Sequence, residues 1–179
     1  MNMPHHYSDP ADRFGLVARQ YCSLVESKTA LDKTEFLLKL YHILLELIAE
    51  AIRLPTVTFD EDENEEQEVN IRQTRATTEM KHEEWGQLYN SLKEKLGEWD
   101  LYWQVFNPRK DNEAIHGSLA DDIADIYRDL RDGIRLKESN NVPSNEIIFD
   151  WRLEFYEHWG KHAIDALRTI HYLLEETSS

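Results

Sequence analysis

Apolar residues recur every three or four positions in five long stretches of this chain, and no stretch shows the two-residue alternation of a half-buried strand. Such a period puts one face of each stretch against a shared core. That is the requirement of an antiparallel helical bundle of about five main helices. Only 6 Gly and 5 Pro interrupt the 179 residues, so long helices are allowed. The length suits a single helical domain over residues 1–179, and a chain this long folds without a disulfide or a structural metal. The expected class is all-α.

Local signals set the expected boundaries. The first helix runs from about Ser8 to Glu26, capped by Ser8 or Asp9 with Pro10 in its first turn. The second runs from Asp32 to Leu54, where Asp32 and Glu35 form a variant of the capping box. Its apolar arc, from Phe36 round to Ile52, is wide enough to place it at the centre of the bundle. Residues 56–71 contain DEDENEEQE, where like charges repel and little apolar surface is available, so an acidic mobile loop is expected.

The third helix, Thr77 to Lys95, buries Trp85, Leu88, Leu92 and Leu96 and stops at Gly97. An aromatic knot follows, Trp99, Tyr102, Trp103 and Phe106, read as packing because few basic residues surround it. The fourth helix starts at the capping pair Ser118 and Asp121 and reaches Lys137, with Leu119, Ile123, Ile126, Leu130 and Ile134 as its core stripe. The fifth runs from Glu146 to Glu175 and buries Trp151, Phe155 and Trp159.

Charge narrows the partners. With 35 acidic and 20 basic residues the formal net charge is −15, which turns away nucleic acid and anionic membranes. A basic protein partner, a metal ion or a small molecule remains, as does a homodimer. The one cysteine, Cys22, lies among apolar neighbours and reads as a core residue. No basic leader with an apolar run is present, and the longest apolar stretch, Phe36 to Leu54, is broken by Lys39, His42, Glu46, Glu50 and Arg53. A cytoplasmic location is expected.

Three polar constellations could carry chemistry. On the last helix, Glu154, His158, His162 and Asp165 fall within a sector of about 80° beside the apolar arc. Histidines four residues apart on a helix can share one metal ion. On the fourth helix, Asp121, Asp122, Asp125, Asp129 and Asp132 form an acidic strip. A helical wheel puts Asp121, Asp125 and Asp132 opposite the core, in water, and Asp122 and Asp129 at its border. On the second helix, Glu46 and Glu50 share a narrow polar strip with His42. If a site exists, it lies where the border of the acidic helix meets the polar edge of the closing helix. A divalent metal there would draw on His158, His162, Asp122 and Asp125, with Glu46 or Glu50 completing the shell.

Three segments read together, WDLYWQVFNP at 99–108, LADDIADIYRDLRDGI at 119–134 and WRLEFYEHWGKHAIDALRTIH at 151–171, resemble a bacterial family described as a domain of unknown function. The resemblance implies a helical fold and a bacterial source, and brings no activity. The pairs Glu46/Glu50 and Asp122/Asp125 also look like the carboxylate helices of all-α nucleotide pyrophosphohydrolases. The spacing of the first pair and the leading Asp of the second depart from that pattern. Two functions follow as expectations: a protein-interaction module with an acidic surface, or a metal-dependent hydrolase of a phosphorylated small molecule such as a nucleotide.

Overall fold

Asp32 accepts the Glu35 backbone N–H at 2.8 Å and starts the second helix, and Ser118 accepts the Asp121 N–H at 3.2 Å and starts the helix after the aromatic knot. A computed structural model describes residues 10–27, 31–58 and 65–177. The expected cap at Ser8 or Asp9 and residues 59–64 of the acidic stretch lie outside the described residues. The elements are α1 (Pro10–Glu26), α2 (Lys33–Arg53), α3 (Glu65–Thr78), α4 (His82–Leu96), β1 (Leu101–Gln104), β2 (Ile115–Ser118), α5 (Leu119–Glu138), α6 (Ser144–Glu154) and α7 (Gly160–Thr177). A 3₁₀ turn at Gly97–Trp99 leads into β1, and a π turn at Phe155–Trp159 joins α6 to α7.

The core is one cluster that draws on every α-helical segment, with Phe14, Tyr21, Phe36, Leu44, Ile123 and Trp159 at its heart. Trp151, Phe155 and Trp159 are buried as the periodicity requires. The Tyr21 hydroxyl satisfies itself inside the core by donating to the Ile123 carbonyl at 3.0 Å. Cys22 is buried there too, and burial pushes its thiol up to about 12. Among the described residues no helix is long and apolar enough to cross a membrane.

Four expectations need correction. The helix at the centre is α5, not α2: α1, α3, α4, α6 and α7 all pack against α5. The wide arc of α2 instead leaves Leu38, Leu45 and Ile52 exposed on one edge. The end of the acidic stretch is helical, because α3 begins at Glu65 and lays Ile71 into the core. The aromatic knot packs only in part: Trp99 and Tyr102 lie against the core, while Tyr102 and Trp103 belong to β1, which pairs antiparallel with β2 in the register Leu101↔Ser118 to Gln104↔Ile115, and Trp103 and Phe106 stand 65% and 73% exposed. The closing helix is broken by the π turn, which sequence periodicity does not register.

Candidate functional site

The border of the acidic helix meets the polar edge of the closing helix. α5 and α7 run antiparallel, so ascending positions on one face descending positions on the other. Asp122 Oδ1 lies 2.8 Å from His162 Nδ1, and Asp129 Oδ2 lies 2.6 Å from His158 Nδ1. Asp125 sits between the two rings, its Oδ2 3.5 Å from His162 Nε2 and 4.0 Å from His158 Nε2. The ring centres of the two histidines are 5.1 Å apart.

The π turn contributes to this register. π turns inside helices recur at functional sites. Here the turn carries His158, and Gly160 closes it by donating to the Phe155 carbonyl. A Cβ at position 160 would run into that carbonyl oxygen, so glycine is required.

The carboxylates fix the chemistry of the rings. A carboxylate only accepts, so each Nδ1 carries its proton towards Asp122 or Asp129. In a neutral ring the Nε2 lone pair is then free and faces Asp125 Oδ2. The separations of 3.5 and 4.0 Å are too long for hydrogen bonds. They are close to the spacing of about 3.4 Å between ligand atoms placed tetrahedrally about 2.1 Å from one ion.

Each of the three donors is held from behind. Asp125 Oδ1 accepts from Trp85 Nε1 at 2.9 Å and lies 3.1 Å from an Arg128 nitrogen. Arg128 also reaches Asp129 at 3.4 Å. Asp122 Oδ2 accepts the Tyr102 hydroxyl at 2.6 Å. Gly117, opposite Tyr102 in the hairpin, leaves room for that ring to lie across the sheet. Asp100, buried at the hairpin base, accepts from Ser118 and from the Ala120 N–H and so anchors the start of α5.

Burial and pairing shift the acid–base behaviour. Burial pushes Asp122 up, and the hydrogen bonds from His162 and Tyr102 pull it back. The hydrogen bond to Asp122 raises His162 against the opposing effect of burial. Burial raises Glu154 and Asp165 as well, and holds the Tyr102 hydroxyl protonated above its usual range.

This seam opens into a cleft of about 420 Å³ between the hairpin and the facing helices. Asp122, His158, His162 and Asp165 line it, with Asp121 and Lys161 beside them. Glu154 lies at the other end of the seam, where Asp129, Glu154 and His158 form a second donor group that shares His158 with the first.

Glu46 and Glu50 do not join. Glu50 pairs with Arg13 at 3.4 Å and Arg53 at 2.7 Å, and Glu46 is exposed on α2. Asp125 and Asp132 were expected in water, yet α4 and α3 cover that side of α5. Asp132 accepts the Met80 N–H at 3.0 Å, and Asp125 is the carboxylate most central to the site. Trp85, Tyr102 and Arg128 were not anticipated as its partners. The first two read as core aromatics.

The family model described as Domain of unknown function (DUF5063) matches residues 5–176. Among curated proteins nothing matches the chain. The crystal structure of protein BF1032 from Bacteroides fragilis is similar in fold, with a TM-score of 0.72 and 23% sequence identity over 93% of each chain.

Proposed function

The chain belongs to the DUF5063 family, whose description carries no activity, and we propose that it binds a divalent first-row metal ion through Asp125, His158 and His162. The observation that carries this reading is the spacing of three donor atoms at ligand-to-ligand rather than hydrogen-bond distances, all within 4.8 Å of one another. The carboxylate behind each ring is the arrangement that orients metal-bound histidines and strengthens them as ligands. Two imidazoles and one carboxylate favour zinc, iron or manganese over magnesium, which prefers oxygen throughout. Asp122 and Asp129 serve behind the rings rather than on the ion.

Held by three protein ligands, of which His158 and His162 line the cleft, an ion there would have room for a water and would lower that water's pKa, supplying a nucleophile at neutral pH. Lys161 on the cleft wall supplies one positive charge for an anionic substrate. The reaction class is therefore metal-assisted hydrolysis, with a phosphorylated small molecule as substrate.

The test uses chelator-treated full-length protein. Zinc and manganese are added in a calorimeter, and phosphate release is followed from nucleotides and a generic aryl phosphate. One ion per chain is expected, lost in the double variant His158→Ala/His162→Ala. Binding raises the melting point, by the equivalent of about 2.7 kcal/mol at a hundredfold excess over Kd. No uptake of either ion overturns the reading and leaves the seam a set of charge pairs organised by Arg128. Uptake without phosphate release keeps the metal site and rejects the phosphorylated substrate.

A further inference from the structure

A second cavity, of about 230 Å³, lies between β1 and α7. Its walls combine Trp99, Trp103 and Tyr172 with the carboxylates of Glu98, Asp165 and Glu176. Aromatic faces attract cations through the ring quadrupole, and carboxylates complete the attraction at the edge. The fold already uses one of these rings in this way, for Lys33 Nζ stands 4.7 Å from the Trp99 ring centre. One cation, Arg168, also lines the cavity, against three acids.

We propose that this groove is a docking site for an arginine side chain presented by a basic peptide of a partner protein. A guanidinium plane stacks on an aromatic face while its N–H fork binds a carboxylate, so one group satisfies both features of the groove. A lone small cation would leave the surrounding surface unused. Trp103 and Tyr172 are 65% and 54% exposed, and Leu101 is 62% exposed. Leu101, Gln104 and Asp165 line both this groove and the cleft, so the two adjoin at β1. A second copy of this chain carries the same net charge of −15 and is of the wrong sign to fill the site. This inference does not depend on metal binding, which involves none of these aromatic side chains.

Tryptophan fluorescence of the full chain is titrated with a Gly/Ser peptide holding two arginines, with the same peptide carrying neutral citrulline, and with agmatine as the free small cation. The arginine peptide binds, and citrulline weakens it about tenfold or more, as loss of a cation–π contact of about 1.4 kcal/mol requires. Trp103→Ala and the pair Glu98→Gln/Glu176→Gln each weaken binding about tenfold with unchanged circular dichroism. The pair Glu83→Gln/Glu94→Gln, which removes the same charge from the exposed face of α4, leaves binding within about twofold. Equal affinity for the citrulline peptide, equal loss in the α4 pair, or no binding at all overturns the proposal. Agmatine binding as tightly as the peptide overturns it in favour of a small-molecule cation site.

Discussion

The seam between α5 and α7 and the groove beside β1 are both lined with carboxylates, yet they solve the problem of acidic charge in opposite ways. In the seam, Asp122, Asp125 and Asp129 each have a hydrogen-bond or ion-pair partner, and their side chains are 6%, 13% and 10% exposed. Buried charge is tolerated only when paired, so the seam is a fixed polar lattice inside a packed bundle. In the groove, Glu98 and Glu176 stand in solvent beside exposed aromatics. Water solvates those acids, and nothing forces them to hold one geometry. The comparison teaches that the first region is built to position atoms and the second to receive a side chain.

The largest effect should come from removing the packing beneath the seam. Trp159, 1% exposed, lies with ring centres 4.9 Å from Phe155 and 6.2 Å from Phe14. Trp159→Ala should cost about 3–5 kcal/mol in chemical denaturation. A variant that melts like the parent would show that the seam holds its form without the core beneath it.

Gly160→Ala should cost less, about 1–3 kcal/mol, because the added Cβ meets the Phe155 carbonyl and the π turn must give way. The sharper readout is geometric. His158 and His162 should lose their common partner Asp125, and metal uptake should fall while helicity stays. Unchanged uptake would remove the π turn from the account.

How much of this was legible in the sequence differs along the chain. The Asp32 and Ser118 caps, the stripe of α5 and the burial of Trp151, Phe155 and Trp159 follow from local pattern, because those features are local. That the margin holding Asp122 and Asp129 would face the one holding His158 and His162 also followed, since helices packed by their apolar stripes bring the borders of those stripes together, but which acid meets which ring did not. The hairpin did not show, because its strands have four residues each and too few positions to establish alternation. Asp125 and Asp132 were misplaced because a wheel reports only the side opposite the stripe. It cannot say that α3 and α4 return to cover that side. Nor did an ordinary Trp-Gly step betray the π turn.

A smaller effect separates the seam's margin from its centre. Asp132 is raised to about 6, chiefly by burial, against the Met80 N–H and the nearby arginines. The folded protein therefore keeps this proton to higher pH than the unfolded chain, whose aspartate titrates near 3.9. Between about pH 4 and 6 the native state binds more protons, so this group's contribution to stability declines as pH rises through that window and is level above it. Asp132→Asn keeps the acceptor for Met80 and should remove the decline. The difference between variant and parent, measured at pH 4.5 and 7.5, should be about 1 kcal/mol once screening at this partly open position is allowed for. A difference of opposite sign would mean that pairing, not burial, governs the acidic strip.

The smallest effect is the one that most directly tests the contrast. Trp103 and Trp159 are the same side chain in the two regions, 65% and 1% exposed. Trp103 rests on β1 against the His116 ring, with centres 3.8 Å apart, and its remaining surface is in solvent. Replacing it by alanine opens no internal cavity and strands no buried polar group, the two mechanisms behind large losses. What disappears is one exposed ring contact, so Trp103→Ala should change stability by about 0.5 kcal/mol or less. The hairpin keeps its inward anchor, because Tyr102 still donates to Asp122 at 2.6 Å. Metal uptake at Asp125, His158 and His162 should therefore match the parent, while the arginine peptide loses its hold. A loss above about 2 kcal/mol, or a fall in metal uptake with it, would mean that Trp103 braces the seam through the hairpin. The two regions would then be one structural unit, with the exposed tryptophan supporting the geometry of the buried acids.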